Sequence, residues 1–313
     1  MKRGPYRATP EPGSIADLVA MFRKSPRFLA WAPSTRSKND RILGDFVARN
    51  GRVQTAELTR GAVMLMRDSL AETPGAANNW HKVISLLLAY GVDIEAIPSN
   101  PAARIPKLKP KQPDGFRVWR EDEIAAFLAH WPVESTPHRA LVVMLYTGAA
   151  AADAVRLGPG SVRVVDGVER VAYARAKTGQ RVSIRVLPPL AEATTHARGL
   201  TWLETVAGRA RTAKGLSVKM PLWAASAGLG GADEHGRRLC CHGLRKAMGR
   251  RLAEAGCTVL EIASILGHKN LAQVETYIRD YDRAQSADRG FDKLGAPRTN
   301  VVVLNASRPN RER

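Results

Sequence analysis

Four residues in the stretch CHGLRKAMGRRLAEAGCTVLEIASILGHKNLAQVETYIRDY have types and spacings that could do chemistry together. His242 and Arg245 stand at i and i+3, so both project from one side of a helix. His268 follows Gly267, a glycine placed to end the preceding helix, where a side chain can point into a cleft. Tyr277 comes nine residues after that histidine. A phenol, with a pKa of about 10, is a poor nucleophile toward a phosphodiester unless the electrophile is already polarised. Guanidinium groups polarise it through paired hydrogen bonds to the non-bridging oxygens, which compensate charge as it grows. Taken singly, each residue has a plainer reading. A histidine near a helix start is commonly structural, and a tyrosine on an amphipathic helix is commonly core or rim. IASILGHKNLAQVETY also fits a helix-turn-helix whose second helix enters a DNA groove. The combination is what sets these residues apart.

Charge suggests the partner of such a site. The 313 residues include 48 Lys and Arg against 29 Asp and Glu, a formal charge of +19 with a pI near 10.5. This imbalance favours polyanions, nucleic acid foremost, or an anionic membrane surface. Apolar runs such as residues 83–92 fall well short of the ~20 residues that a membrane span requires. The opening MKRGPYRATPEPG has no apolar h-region, so no signal peptide is expected. Three cysteines, Cys240, Cys241 and Cys257, are too few for a disulfide framework and fit a reducing cytosol; a cytoplasmic, nucleoid-associated location is expected. Cys240 and Cys241 with no second pair make a poor tetrahedral zinc site. With no Walker-type glycine loop and no acidic metal cluster, neither cofactor nor metal is expected.

The elements that position the site read as mainly α with a small antiparallel β-sheet, in two domains. After a leader over residues 1–13, residues 14–103 form a helical domain in which apolar residues recur at helical spacing. Ser14 caps the first helix, Gly51 stops the second, Thr59 opens the third, and GAANNWHKVISLLLAYGV is the fourth. Basic residues of one sign, Arg36, Lys38 and Arg41 among them, line polar faces and are candidate DNA contacts. Residues 104–118 hold three prolines and Lys107, Lys109 and Lys111, an extended cationic linker able to follow a phosphate backbone. A second domain covers residues 119–295, and a basic tail residues 296–313. Within the second domain, REDEIAAFLAHW and HRALVVMLY are helices, followed by a change of period. SVRVV, ERVAYARA and RVSIRVLP alternate as strands, joined by Asp166-Gly167 and by Lys177-Thr178-Gly179-Gln180. Helices resume at LPPLAEATTHARG, over residues 243–255, and over residues 258–266 with a Thr258/Glu261 capping box. Asn270 caps a last helix carrying Tyr277.

In this order and spacing the chain resembles the tyrosine recombinase (phage integrase) family. Members carry a His-x-x-Arg box, a Leu-Gly-His box and a nucleophilic tyrosine about nine residues on; HGLR at 242–245, LGH at 266–268 and Tyr277 match them. The family's catalytic lysine sits on an upstream hairpin turn, the place of Lys177. The resemblance extends over residues 14 to about 295, with the N-terminal half similar to the family's helical, SAM-like core-binding domain. It implies that Tyr277 attacks the scissile phosphate, leaving a 3'-phosphotyrosyl link and a free 5'-hydroxyl. Lys177 would protonate the leaving oxygen, while His242, Arg245 and His268 bind and polarise the phosphate. Tyr281, one turn beyond Tyr277, is the rival nucleophile, and the family spacing favours Tyr277. The implied partner is double-stranded DNA, the implied assembly a tetramer on two duplexes. The implied role is integration or excision of a mobile element, without metal or nucleotide.

One position departs from the pattern. The family has Thr-Gly-x-Arg followed by an acidic residue ahead of the hairpin; in YTGAAAAD, Ala150 stands where that first catalytic arginine belongs and Asp153 keeps the acidic place. Losing one charge-assisted clamp costs roughly a hundredfold or more in rate. The alternative implied role is therefore an integrase-like DNA-binding protein, impaired in cleavage, that acts as a regulator or an architectural partner. Ala150→Arg is expected to raise cleavage unless another group already fills the role.

Overall fold

Capping residues fix the helix starts of the N-terminal unit. Ser14 accepts from the Asp17 N–H to open α1 (Ile15–Lys24), and Ser25 accepts from the Phe28 N–H to open the short α2 (Pro26–Leu29). Pro33 begins α3 (Pro33–Asn50), Thr59 caps α4 (Arg60–Asp68), and Pro74 begins α5 (Pro74–Asp93). The computed structural model describes residues 9–109 and 115–271, with Val274, Phe291 and Asp292. It divides into two compact units, residues 1–113 and 114–313. In the first unit, Leu18, Phe22, Leu43, Phe46, Ile84 and Leu87 share one buried cluster, with Phe22 edge-on to Phe28 and Trp31. The stretch after α5 is held to this unit by polar groups. Arg67 donates to the Pro106 carbonyl at 2.5 Å, and the Asn78 amide exchanges hydrogen bonds with the Leu108 backbone at 2.8 and 2.9 Å. Pro106 and Leu108 of the expected extended linker are thus bonded to the helical unit.

The second unit packs helices around a hairpin sheet. Among the described residues its helices are α6 (Glu121–His130), α7 (Thr136–Thr147), the single turn α8 (Ala151–Ala154), α9 (Pro188–Thr195), α10 (Ala213–Ser226), α11 (Cys241–Glu254) and α12 (Val259–Leu266). Strands β1 (Val162–Val165), β2 (Val168–Ala174) and β3 (Arg181–Arg185) form an antiparallel sheet in that order. Asp166 and Gly167 both take positive φ, 51° and 73°, the pair that a tight two-residue hairpin demands. Val171 is paired with Val162 and Ile184 and is fully buried, which sets the register of the sheet's packed face. Leu141, Val143, Met144 and Leu145 of α7 are fully buried at the centre of the cluster. The fold is mainly α with a small antiparallel sheet, as the sequence patterns indicate. Helix α10 is not revealed by sequence periodicity: it carries an internal Pro221, and the exposed Val218 and Leu222 blur its buried stripe of Leu216, Met220 and Ala224.

Candidate active site

Two helix ends and one buried arginine make the centre of the site. Helix α12 ends at Leu266 on Gly267, which takes the left-handed conformation at φ 64°. Helix α7 ends on Gly148, also left-handed at φ 59°. The last carbonyls of a helix have no intrahelical donor and need an outside partner. Arg245, fully enclosed on α11, supplies it: Nη1 donates to the Gly148 carbonyl at 2.5 Å and Nη2 to the Leu266 carbonyl at 2.7 Å. The same Nη2 lies 2.7 Å from His268 Nε2, so the His-x-x-Arg and Leu-Gly-His boxes meet in space. The alanines after Gly148 have a packing role here. Ala149 and Ala154 are completely buried, and a Cβ on Gly148 itself would lie 2.4 Å from Leu266 Cδ2. Small side chains let these two chain ends approach one guanidinium.

Asp153 organises the hairpin side. It is buried on α8, accepts the Ala176 N–H at 2.7 Å, and pairs with Arg156 Nη2 at 2.9 Å. Its other oxygen lies 2.9 Å from Arg175 Nε. The β2–β3 turn is closed by the Arg175 N–H donating to the Gln180 carbonyl at 2.9 Å and the Gly179 N–H to the Arg175 carbonyl at 2.8 Å. Lys177 stands exposed on this turn, one residue past the amide that Asp153 holds. Arg175 itself escapes a reading centred on Lys177. Its Nη1 donates to the Leu266 carbonyl at 2.5 Å, the same oxygen that Arg245 uses. The available signal was parity: Tyr173, Arg175 and Lys177 alternate along one strand and its turn.

His242, on the first turn of α11, meets the Phe116 ring at 4.7 Å between centroids. One helical turn on, the ammonium of the buried Lys246 donates to the Phe116 carbonyl at 3.1 Å. Burial, and then the positive charges of Arg245 and Lys246, push the His242 imidazole down to about 4 from its ordinary 6.5. At neutral pH it is an uncharged ring, able to accept or donate a proton through either nitrogen. Between pH 6.5 and 4 the unfolded chain binds a proton there that the folded chain does not. His242 thus contributes stability that is present above the unfolded value and lost as pH falls toward the folded one. Thermal midpoints followed from pH 7 to 4 should fall across that window, and His242→Gln should flatten the fall; an equally steep fall in the variant would assign it elsewhere.

The structure brings His242, Arg245, His268 and the Lys177 turn into one unit, around the Gly148 and Leu266 chain ends. Ala150 begins the α8 turn, with its carbonyl accepting the Asp153 and Ala154 N–H groups at 2.8 Å. Tyr277, Tyr281 and Lys111 lie outside the described residues, as do most of the expected last helix and the tail with NVVVL. In the N-terminal unit, Lys38, Arg41, Lys107 and Lys109 are exposed, and Arg36 is half-buried with Nη1 3.4 Å from the Leu29 carbonyl. Among the described residues no group of three or more His, Cys, Asp or Glu side chains is placed to hold a metal. Nor is any helix among them long and apolar enough to cross a membrane.

A helical unit followed by a mixed unit of this construction is a fold shared with integrases of known structure. The chain is similar to a lambda integrase dimer bound to a COC' core site, with a TM-score of 0.72 and 17% identity over 85% of this chain and 95% of that one. It is similar to the Tn1549 transposon integrase in complex with a circular intermediate DNA, with a TM-score of 0.72 and 15% identity over 90% and 99%. A lambda integrase tetramer bound to a Holliday junction gives a TM-score of 0.72 and 16% identity over 86% and 80%. Comparison by sequence with curated proteins gives no match. The chain belongs to the phage integrase family, whose model matches residues 117–284, more than half of its length.

Proposed function

We propose that this protein is a site-specific DNA strand transferase that integrates or excises a mobile element through a 3'-phosphotyrosine at Tyr277. The observation that carries this reading is the convergence of Arg245 and His268 at two helix ends, beside a hairpin turn that presents Lys177. Arg245 and the neutral His242 would hold and polarise the scissile phosphate, with His268 steadying the guanidinium. The phenol oxygen of Tyr277 would attack phosphorus with loss of its proton to solvent, forming the P–O bond to tyrosine as the P–O bond to the 5'-oxygen breaks. Lys177 would deliver a proton to that leaving oxygen. Attack by the 5'-hydroxyl of another strand reverses the step and restores the tyrosine, so no external energy source is required. Neither metal nor nucleotide enters this scheme.

Double-stranded DNA is the proposed partner, engaged by Arg36, Lys38 and Arg41, by Lys107, Lys109 and Lys111, and by the site itself. The structural relatives include a dimer on a core site and a tetramer on a Holliday junction, which supports a tetramer of this chain on two duplexes. A cytoplasmic, nucleoid-associated location follows from the same reading. The test is covalent capture. Nicked duplexes with a randomised core are incubated with the protein, denatured, and resolved for a DNA–protein adduct, whose modified tyrosine is mapped by peptide mass. An adduct on Tyr277 is expected; none from any duplex would leave the second reading, a DNA-binding regulator or architectural subunit, which Ala150 favours. Either reading requires steep salt dependence. If about 6–10 phosphates are neutralised, affinity should fall by ~10³–10⁵ between about 50 and 200 mM salt. A shallow slope in a fluorescence-anisotropy titration would count against both.

A further inference from the structure

We propose that Arg175 is a second phosphate-clamping guanidinium of this site, supplying from the β2–β3 hairpin the charge that Ala150 does not. The inference rests on the strand-transfer reading and deepens it. Its ground is a juxtaposition of two arginines seventy residues apart in sequence: Arg175 Nη1 and Arg245 Nη2 donate to the one Leu266 carbonyl, at 2.5 and 2.7 Å. Two guanidinium groups gathered at one neutral oxygen repel each other, and an anion that both address turns that repulsion into a binding site. A phosphodiester has two non-bridging oxygens, each able to take a fork of N–H donors, so two neighbouring guanidinium groups match it.

Arg175 is also held as a clamp must be. Its side chain is only 11% exposed, with Nε 2.9 Å from Asp153 Oδ2. Its aliphatic stem runs along Gly267, where an added Cβ would lie 3.3 Å from Arg175 Cγ and Cδ. Little side-chain freedom therefore remains to be lost when a phosphate arrives. Nη1 is engaged by the Leu266 carbonyl, whereas Nε, although close to Asp153, is buried without a hydrogen bond of its own among the described residues. Tyr173, two residues earlier, brings a buried hydroxyl within reach of the Arg175 guanidinium. Arg175, Asp153 and Arg245 all bear on that phenol electrostatically, so it lies in the same cluster. Arg156 is the weaker candidate. It is half exposed, and its donors go to Asp153 and to the Ala152 and Ala174 carbonyls. The competing account makes Arg175 a staple that fixes the hairpin to the end of α12, with no part in holding phosphate.

The experiment uses duplexes that the wild-type protein captures from the randomised nicked pool, and compares single-turnover adduct rates for Arg175→Ala, Arg175→Lys and Ala150→Arg/Arg175→Ala. Anisotropy gives DNA affinity, and thermal melts confirm that each variant is folded. Arg175→Ala should slow adduct formation by ~10²-fold or more with DNA affinity changed far less. Arg175→Lys should stay well below wild type, since an ammonium cannot fork onto an oxygen pair. Ala150→Arg should restore at least tenfold of the rate in the Arg175→Ala background, a larger gain than it gives in the wild type. A rate within twofold of wild type for Arg175→Ala overturns the proposal. So does a loss that Ala150→Arg fails to repair, which would make Arg175 a staple. Absence of any wild-type adduct is a different failure: it removes the strand-transfer reading and this inference with it.

Discussion

Arg245→Ala should slow covalent adduct formation by at least ~10²-fold and remove about 3–5 kcal/mol of stability. The two losses share one cause. The guanidinium is 2% exposed and donates to two carbonyls from chain segments far apart in sequence, while touching His268. Alanine leaves the Gly148 carbonyl buried without this donor, at roughly 1–3 kcal/mol, and leaves the Leu266 carbonyl to Arg175 alone. It also leaves His268 without its neighbour. Arg245→Lys keeps the charge but offers a point donor that cannot span both carbonyls, so it should recover stability only in part and rate hardly at all. Urea melts and single-turnover capture at a temperature where each variant is folded separate the two effects. A folded Arg245→Ala protein with an unimpaired adduct rate would remove Arg245 from the chemistry.

Gly148→Ala should destabilise the second unit by about 2–4 kcal/mol and slow capture as well. The backbone there is left-handed at φ 59°, and the new methyl would sit 2.4 Å from Leu266 Cδ2. Leu266 is fully enclosed, so its side chain has no room to swing aside. Relief requires moving the end of α7 or the end of α12, and either motion pulls a carbonyl off Arg245. Gly228 is the control. It is left-handed at φ 77° with nothing within 4 Å of an added Cβ, so Gly228→Ala should cost only about 1–2 kcal/mol and leave capture alone. Equal costs for the two substitutions would show that backbone strain alone, without the Leu266 contact, accounts for Gly148.

Local chemistry explains which parts of this protein the sequence announces. Ser14, Thr59 and the Thr258/Glu261 box start helices because their oxygens meet free N–H groups within three residues, a relation visible in the chain itself. Asp166-Gly167 marks its turn for the same local reason. Helix α10 is hidden because its identity depends on burial of Leu216, Met220 and Ala224 in a shared core, against an internal proline. His242, Arg245 and His268 were legible as a set through their spacing and a family resemblance. Arg175 was not, because its meaning lies in an oxygen ninety-one residues away and in Asp153, neither of which any spacing rule connects to it. The alanines of YTGAAAAD read as a vacancy in sequence. In the fold, Ala149 and Ala154 are completely buried in the core of the second unit.

The two carbonyls that seat Arg245 are the closing ends of α7 and α12, where an α-helix concentrates roughly half a unit of negative charge. Peptide dipoles of this kind orient a cation while cancelling only part of its charge, so much of the positive potential stays available to an incoming anion. They also have no proton to gain. A carboxylate counter-ion would fade in acid, but a helix terminus keeps its polarity at every pH at which the helix exists. The carbonyl part of this arginine's seating therefore does not titrate, and a pH response of the site falls to its histidines.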